Sequence, residues 1–239
     1  MTMASLYQLS HYMDPESGEI LFITEVGSRM WGMEEFASDY DWVHIYQVPT
    51  RSILEGRKIP VTRPQKQYTD DHGRLIDASF MEIGHLVQLL ISGNINAIWA
   101  VSSPLVIADF TDARERLRKV VVSTLSRKSY HSIRGMAESQ ASDAVRRRGQ
   151  VNPEKPFLSA IRTLLFGQRL LSEGILDYTV MNGLLRDREG SPGDRYEAEY
   201  LKLDEAYRES RLPLVPDERL FRDLLFSLRT DDLERYCRA

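Results

Sequence analysis

Cysteine is almost missing from this chain. Cys237 is the only one in 239 residues, so no intrachain disulfide forms and a reducing cytoplasm is the expected setting. Long apolar runs are missing too. No stretch approaches the ~20 residues that span a bilayer, so no membrane association is expected. The opening MTMASLYQLSHYMDPESGE has no basic segment leading into an apolar one, which is not the pattern of a secretory signal. There is no glycine-rich Walker loop and no GxSxG elbow. His11, His44, His72, His85 and His131 show no HxxxH spacing, which counts against a histidine-ligated hydrolytic metal site. Internal repeats and low-complexity tracts are also absent.

Strong net charge is lacking as well. The balance is −4, which argues against a general nucleic-acid coat protein. With 42% hydrophobic and 28% charged residues, the composition is that of a soluble globular protein. The charge is unevenly spread. Asp112 to Gln150 carries ten Lys or Arg against four Asp or Glu, and Arg186 to Ala239 carries eleven against fourteen. The middle of the chain is therefore the part suited to face a triphosphate or a nucleic-acid end.

The most informative stretch is Gly27 to Asp41, GSRMWGMEEFASDYD. An apolar run, Ile20 to Ile23, leads into Gly27-Ser28, and Trp42 to Tyr46 follows Asp41. Alternation along a strand points Asp39 and Asp41 the same way. Neighbouring carboxylates raise each other's pKa, and a hard divalent cation such as Mg2+ or Mn2+ removes that penalty. Gly27 and Ser28 offer backbone N–H groups suited to phosphate. These parts together suit metal-dependent nucleotidyl transfer. A third carboxylate is expected if two metals take part. Asp70 and Asp71 fit a turn, and Glu82 opens a helix, where an acid is favourable for dipole reasons. Asp77 lies inside a strand, where a carboxylate is costly without a metal or partner.

Gly-Ser followed after about ten residues by Ser38-Asp39-Tyr40-Asp41 resembles the DNA polymerase β-like nucleotidyltransferase superfamily. The fuller string Gly27-Ser28-Arg29-Met30-Trp31-Gly32 is similar to one branch, the RlaP-type nucleotidyltransferases found beside RNA ligases. The resemblance covers roughly residues 19–185. It implies Asp77 as the third metal ligand beside Asp39 and Asp41. It also implies nucleotide contacts from Gly27, Ser28 and Arg29 and, by match to the later helices, from Lys155 and Arg162. The donor is then a nucleoside triphosphate, ATP included, and the acceptor a hydroxyl of RNA, protein or a small molecule. The association with RNA ligases favours an RNA 3′ end. A catalytically degenerate binding or regulatory module is the alternative. Trp42-Val43-His44 departs from the branch, which usually has an aliphatic residue after the second aspartate.

Element signals run strands first, helices after. Strands are expected at 19–26, 38–48, 66–69 and 74–80. Helices are expected at 4–13, 81–90, 94–100, 111–125, 129–148, 156–173, 177–186, 193–210 and 217–228. That order predicts an α+β fold: a small mixed-sheet catalytic core over 1–105, then an all-helical domain over 106–239. Tyr130, an aromatic at a helix start, reads as core ahead of base stacking.

Overall fold

The computed structural model describes residues 18–35, 38–58, 62–69, 73–146, 154–181 and 191–238. The expected segment 4–13, the carboxylates Asp70 and Asp71, and Arg147 and Arg148 lie outside them. Five strands make one sheet: β1 (Glu19–Val26), β2 (Tyr40–Gln47), β3 (Thr62–Thr69), β4 (Leu75–Glu82) and β5 (Val106–Asp109). Their order is β3-β4-β2-β1-β5. β2 and β4 run parallel, and the other neighbours are antiparallel. The helices are α1 (Thr50–Leu54), α2 (Ile83–Ile91), α3 (Ile95–Ser102), α4 (Ala113–Ser123), α5 (Ser129–Arg146), α6 (Lys155–Glu173), α7 (Pro192–Glu209) and α8 (Glu218–Arg238). The fold is α+β, as the sequence predicts. Among the described residues no helix is long and apolar enough to cross a membrane.

The two-residue period of the strands divides the sheet into unlike faces. Ile45 joins the main core with residues of α2 to α8, while Trp42, Tyr46, Ile76, Ala78 and Phe80 form a second cluster on the opposite face. Buried polar ties hold the helices to the sheet. The Thr24 hydroxyl donates to the Ala100 carbonyl at 2.7 Å, and the Ser103 hydroxyl donates to the Glu25 carbonyl at 2.5 Å. Each satisfies a buried carbonyl that is costly to leave unpaired.

Four expectations need correction. β2 starts at Tyr40, not Ser38. The Ser38 N–H bonds the Glu35 carbonyl and its Oγ accepts from the Glu35 N–H, so Ser38 closes a turn instead of extending a strand. β5, in the stretch read as an interdomain break, pairs antiparallel with β1 at the sheet edge. Residues 177–181 are not helical. Asp177 Oδ1 accepts both the N–H and the hydroxyl of Thr179, a local pairing that competes with the helical ladder. Finally, α8 continues past Leu228 to Arg238.

α8 returns to the sheet. Arg229 ion-pairs with buried Glu82 and donates to the Val48 carbonyl at 2.9 Å. Asp232 accepts the Thr50 N–H at 2.7 Å. Phe221, Leu224 and Leu228 are buried in the main core. The last helix is thus part of the wall around β4 and α2.

Candidate active site

Gly27 ends β1 in the left-handed region, φ 69°, and Ser28 begins a 3-10 turn over Arg29–Trp31. A Cβ on Gly27 would lie 1.8 Å from Asp41 Oδ2. The backbone therefore passes directly against the carboxylate, and only glycine allows both the φ and the approach.

Asp41 and Asp77 are register partners on the parallel pair β2 and β4. Adjacent strands lie ~4.8 Å apart. At about 5 Å and an effective dielectric near 20, two such charges repel by roughly 3 kcal/mol. The Asp41 pKa is raised, first by burial and then by Asp77 and Asp39, while Lys155 and Arg162 oppose the rise. Asp77 Oδ1 is buried and has no hydrogen-bond partner among the described residues. A paired, partly dehydrated carboxylate set with an open oxygen is suited to a hard divalent cation.

Both aspartates line one cavity of about 400 Å³ with Gly27 and Trp31. The opposite wall is helical. Asn96, Trp99 and Ala100 come from α3 at i, i+3 and i+4, and Met136 and Gln140 from α5 at i, i+4, so each helix presents one face. Arg162, from α6, completes the wall. Its guanidinium lies 5.0 Å from the Trp31 ring and 6.0 Å from the Trp99 ring. Burial lowers its pKa to about 10, with Asp41 opposing that fall, so it stays cationic at neutral pH. The hydroxyl of Thr163, the next residue, lies 3.0 Å from both Gln140 Oε1 and the Ser159 carbonyl, so its one proton is shared between the cavity-wall amide and the backbone of α6.

The remaining expected residues fall as follows. Asp39 precedes β2 and is exposed, near enough to Asp41 to raise its pKa. It is not among the cavity-lining residues. Among the described residues, no three His, Cys, Asp or Glu side chains gather as a metal-holding group. Ser28 opens the turn, its carbonyl accepting the Trp31 and Met33 N–H groups. Arg29 is engaged elsewhere: it pairs with Glu25 at 3.4 Å, donates to the Ser38 carbonyl and lies 4.0 Å over the Tyr40 ring. Lys155 is exposed at the start of α6, seven residues and about two turns before Arg162. Glu82 caps α2 through the Gly84 N–H and pairs with Arg229, a fold role. Tyr130 is core, stacked on Tyr207 at 4.2 Å and bonded to Asp204. His44 is buried against Phe80, and burial takes its pKa to about 4.

Trp99 and Gln140 line the cavity although nothing in their local sequence marks them as site residues. Their signal is the helix face each shares with other lining residues. Trp31 lies within the Gly27 to Asp41 stretch, and its place in the cavity wall depends on helices distant in sequence.

No curated protein matches the chain. A solved nucleotidyltransferase-like protein from Exiguobacterium sibiricum is 14% identical and has a TM-score of 0.33. The match covers 86% of this chain and 72% of that one. The RlaP family, described as an RNA repair pathway DNA polymerase beta family, matches residues 1–189. That span is well over half of the 239 residues, so the chain belongs to the RlaP family of DNA polymerase β-like proteins.

Proposed function

We propose that the protein transfers a nucleoside monophosphate from a nucleoside triphosphate to a hydroxyl acceptor, with a divalent cation held at Asp41 and Asp77. The observation that carries this reading is the pairing of those two aspartates across β2 and β4 inside a cavity that also holds Arg162. Asp39, exposed and two residues from Asp41, is the carboxylate available to join them. Membership of an RNA repair family supports an RNA 3′ end as the acceptor.

When bound, Mg2+ or Mn2+ supplies charge neutralisation for the triphosphate and eases loss of the hydroxyl proton. Gly27 and Ser28 present backbone N–H groups to phosphate oxygens. Arg162 and Lys155 offset phosphate charge from α6. The acceptor oxygen forms a bond to the α-phosphorus, the α–β anhydride bond breaks, and pyrophosphate leaves with the bonding pair. The proton of the acceptor passes to solvent. The helical wall and the aromatic rings restrict water around the reacting atoms.

The test is label transfer from each α-labelled nucleoside triphosphate to oligoribonucleotides with a free 3′-hydroxyl, in the presence of MgCl2. Transfer that Asp41→Asn and Asp77→Asn each reduce by at least about a hundredfold is the expected result. A second reading, a binding module without catalysis, draws on the finding that among the described residues no third carboxylate gathers at the pair. Nucleotide binding with no transfer to any acceptor selects that reading.

A further inference from the structure

Arg162 is a cation in an expensive position. It is 7% exposed, and its Nε has no hydrogen-bond partner among the described residues. Nor does any described carboxylate form an ion pair with it within 4.0 Å; Asp41 acts on it only at longer range. The faces of Trp31 and Trp99 supply cation–π attraction, which offsets part of the lost hydration. A core position would be served better by an apolar side chain, since a buried unpaired charge is strongly disfavoured. The charge therefore answers to something that enters the cavity.

The charges across the cavity identify that entrant. Asp41 and Asp77 stand on the sheet wall and Arg162 on the helical wall. A divalent cation alone relieves the carboxylates but faces a guanidinium that stays protonated and is shielded from water. A polyphosphate alone satisfies Arg162 but faces two carboxylates. Entering together, the cation takes the aspartates, and the polyphosphate oxygens take both the cation and the guanidinium, whose Nε has no partner among the described residues. We propose that Arg162 makes divalent-cation binding and nucleoside polyphosphate binding interdependent, so that the cavity accepts the metal–nucleotide complex and discriminates against either component alone. The proposal rests on the nucleotidyl-transfer reading above and adds a thermodynamic role for Arg162 to the contact expected from its position.

Isothermal titration of the full chain tests it. The titrants are MnCl2 alone, the α,β-methylene analogue of each nucleoside triphosphate alone, and the preformed Mn2+ complex of each. The wild-type chain should bind at least one complex on the order of tenfold or more tightly than either component, within the usual range of coupling between two ligands. Arg162→Gln should bind MnCl2 alone several-fold more tightly and the complex more weakly, which brings the ratio towards one. Arg162→Lys keeps the charge and should keep most of the ratio. A purely structural role would lower the melting temperature of both variants and leave the ratio unchanged, and that result overturns the proposal. Equal wild-type affinity for MnCl2 and for the complex overturns it without any variant. A wild-type chain that binds no complex refutes the nucleotidyl-transfer reading as well. One that binds the complex, with a ratio indifferent to Arg162, refutes only the coupling.

Discussion

Replacing Arg229 by methionine should destabilise the protein more than any other single change of a charged residue on α8. Arg229 and Glu82 are an almost fully buried pair, with side chains 13% and 4% exposed. Methionine keeps the length and apolar bulk of the stem but leaves the Glu82 charge buried. It also removes the donor to the Val48 carbonyl. Glu82 is not wholly abandoned: it still accepts from Gly84 N–H at 2.6 Å and Val48 N–H at 3.4 Å. Breaking one side of a buried pair costs about 3–5 kcal/mol, and the two retained bonds argue for the lower half of that range. Against a typical domain stability of about 5–15 kcal/mol, a fifth or more of the whole is at stake. Urea unfolding at pH 7, followed by tryptophan fluorescence, measures it. Glu82→Gln in the Arg229→Met background should recover part of the loss. The coupling across the double-mutant cycle should be on the order of 2 kcal/mol. A loss below about 1 kcal/mol, or additive single effects, would refute the claim that these charges hold α8 to the sheet.

Three further outcomes follow from geometry. Gly27→Ala adds a Cβ where Asp41 Oδ2 now lies and strains a φ of 69°; a displaced Asp41 should cost about a hundredfold in label transfer, and a rate near wild type would deny the close contact any role. Gly167→Ala drives a Cβ to 2.6 Å from Ile133 Cγ2 and 2.7 Å from Leu203 Cδ1, so overpacking where α5, α6 and α7 meet should cost about 1–3 kcal/mol, measured by thermal unfolding. Burial raises the Glu25 carboxyl to about 7, with Arg29 opposing and Asp41 and Glu34 adding to the rise. The folded state therefore favours its proton: the contribution is present in full below the unfolded value near 4.5 and is lost as pH rises through about 7. The melting temperature should fall between pH 5 and pH 8 in the wild type and fall less in Glu25→Gln; equal slopes would rule Glu25 out as the cause.

The parts of the site that could be read from the sequence are those fixed by local chemistry. Gly27 needs its glycine, and Asp41 and Asp77 sit in strands where a carboxylate demands a reason. Both facts are visible within a few residues. The helices from 83 onwards announce themselves by period and by caps such as Asn94 and Gly174. What stayed hidden depends on partners distant in sequence. β5 is four residues long and half-exposed, and it is a strand only because β1 lies beside it. Asp39 is equivalent to Asp41 only if the strand begins at Ser38, as local alternation suggests. The turn held by Glu35 and Ser38 moves the strand's start and takes Asp39 out of the alternation. Arg29 and Arg162 looked alike as phosphate contacts. The fold gives Arg29 to Glu25 and Tyr40 and leaves Arg162 over two tryptophans in the cavity.

The acidic balance of residues 186–239 gave no hint that this stretch belongs to the core, and it lies almost wholly beyond the span matched by the family. Yet Phe221, Leu224 and Leu228 are buried there, and Arg229 answers Glu82, the residue immediately after cavity-lining Met81. Removing residues 218–238 would strip an apolar wall from α2 and leave Glu82 unpaired in the same step. Burial of three large apolar side chains at about 1.5–3 kcal/mol each, added to the lost ion pair, is comparable with the stability of a whole domain. A chain ending at residue 217 should therefore fail to fold cooperatively, and circular dichroism should show a broadened, early transition. If it instead keeps a sharp transition and undiminished binding of the metal–nucleotide complex, α8 is an accessory, and the charges at Glu82 and Arg229 have no part in holding the cavity wall.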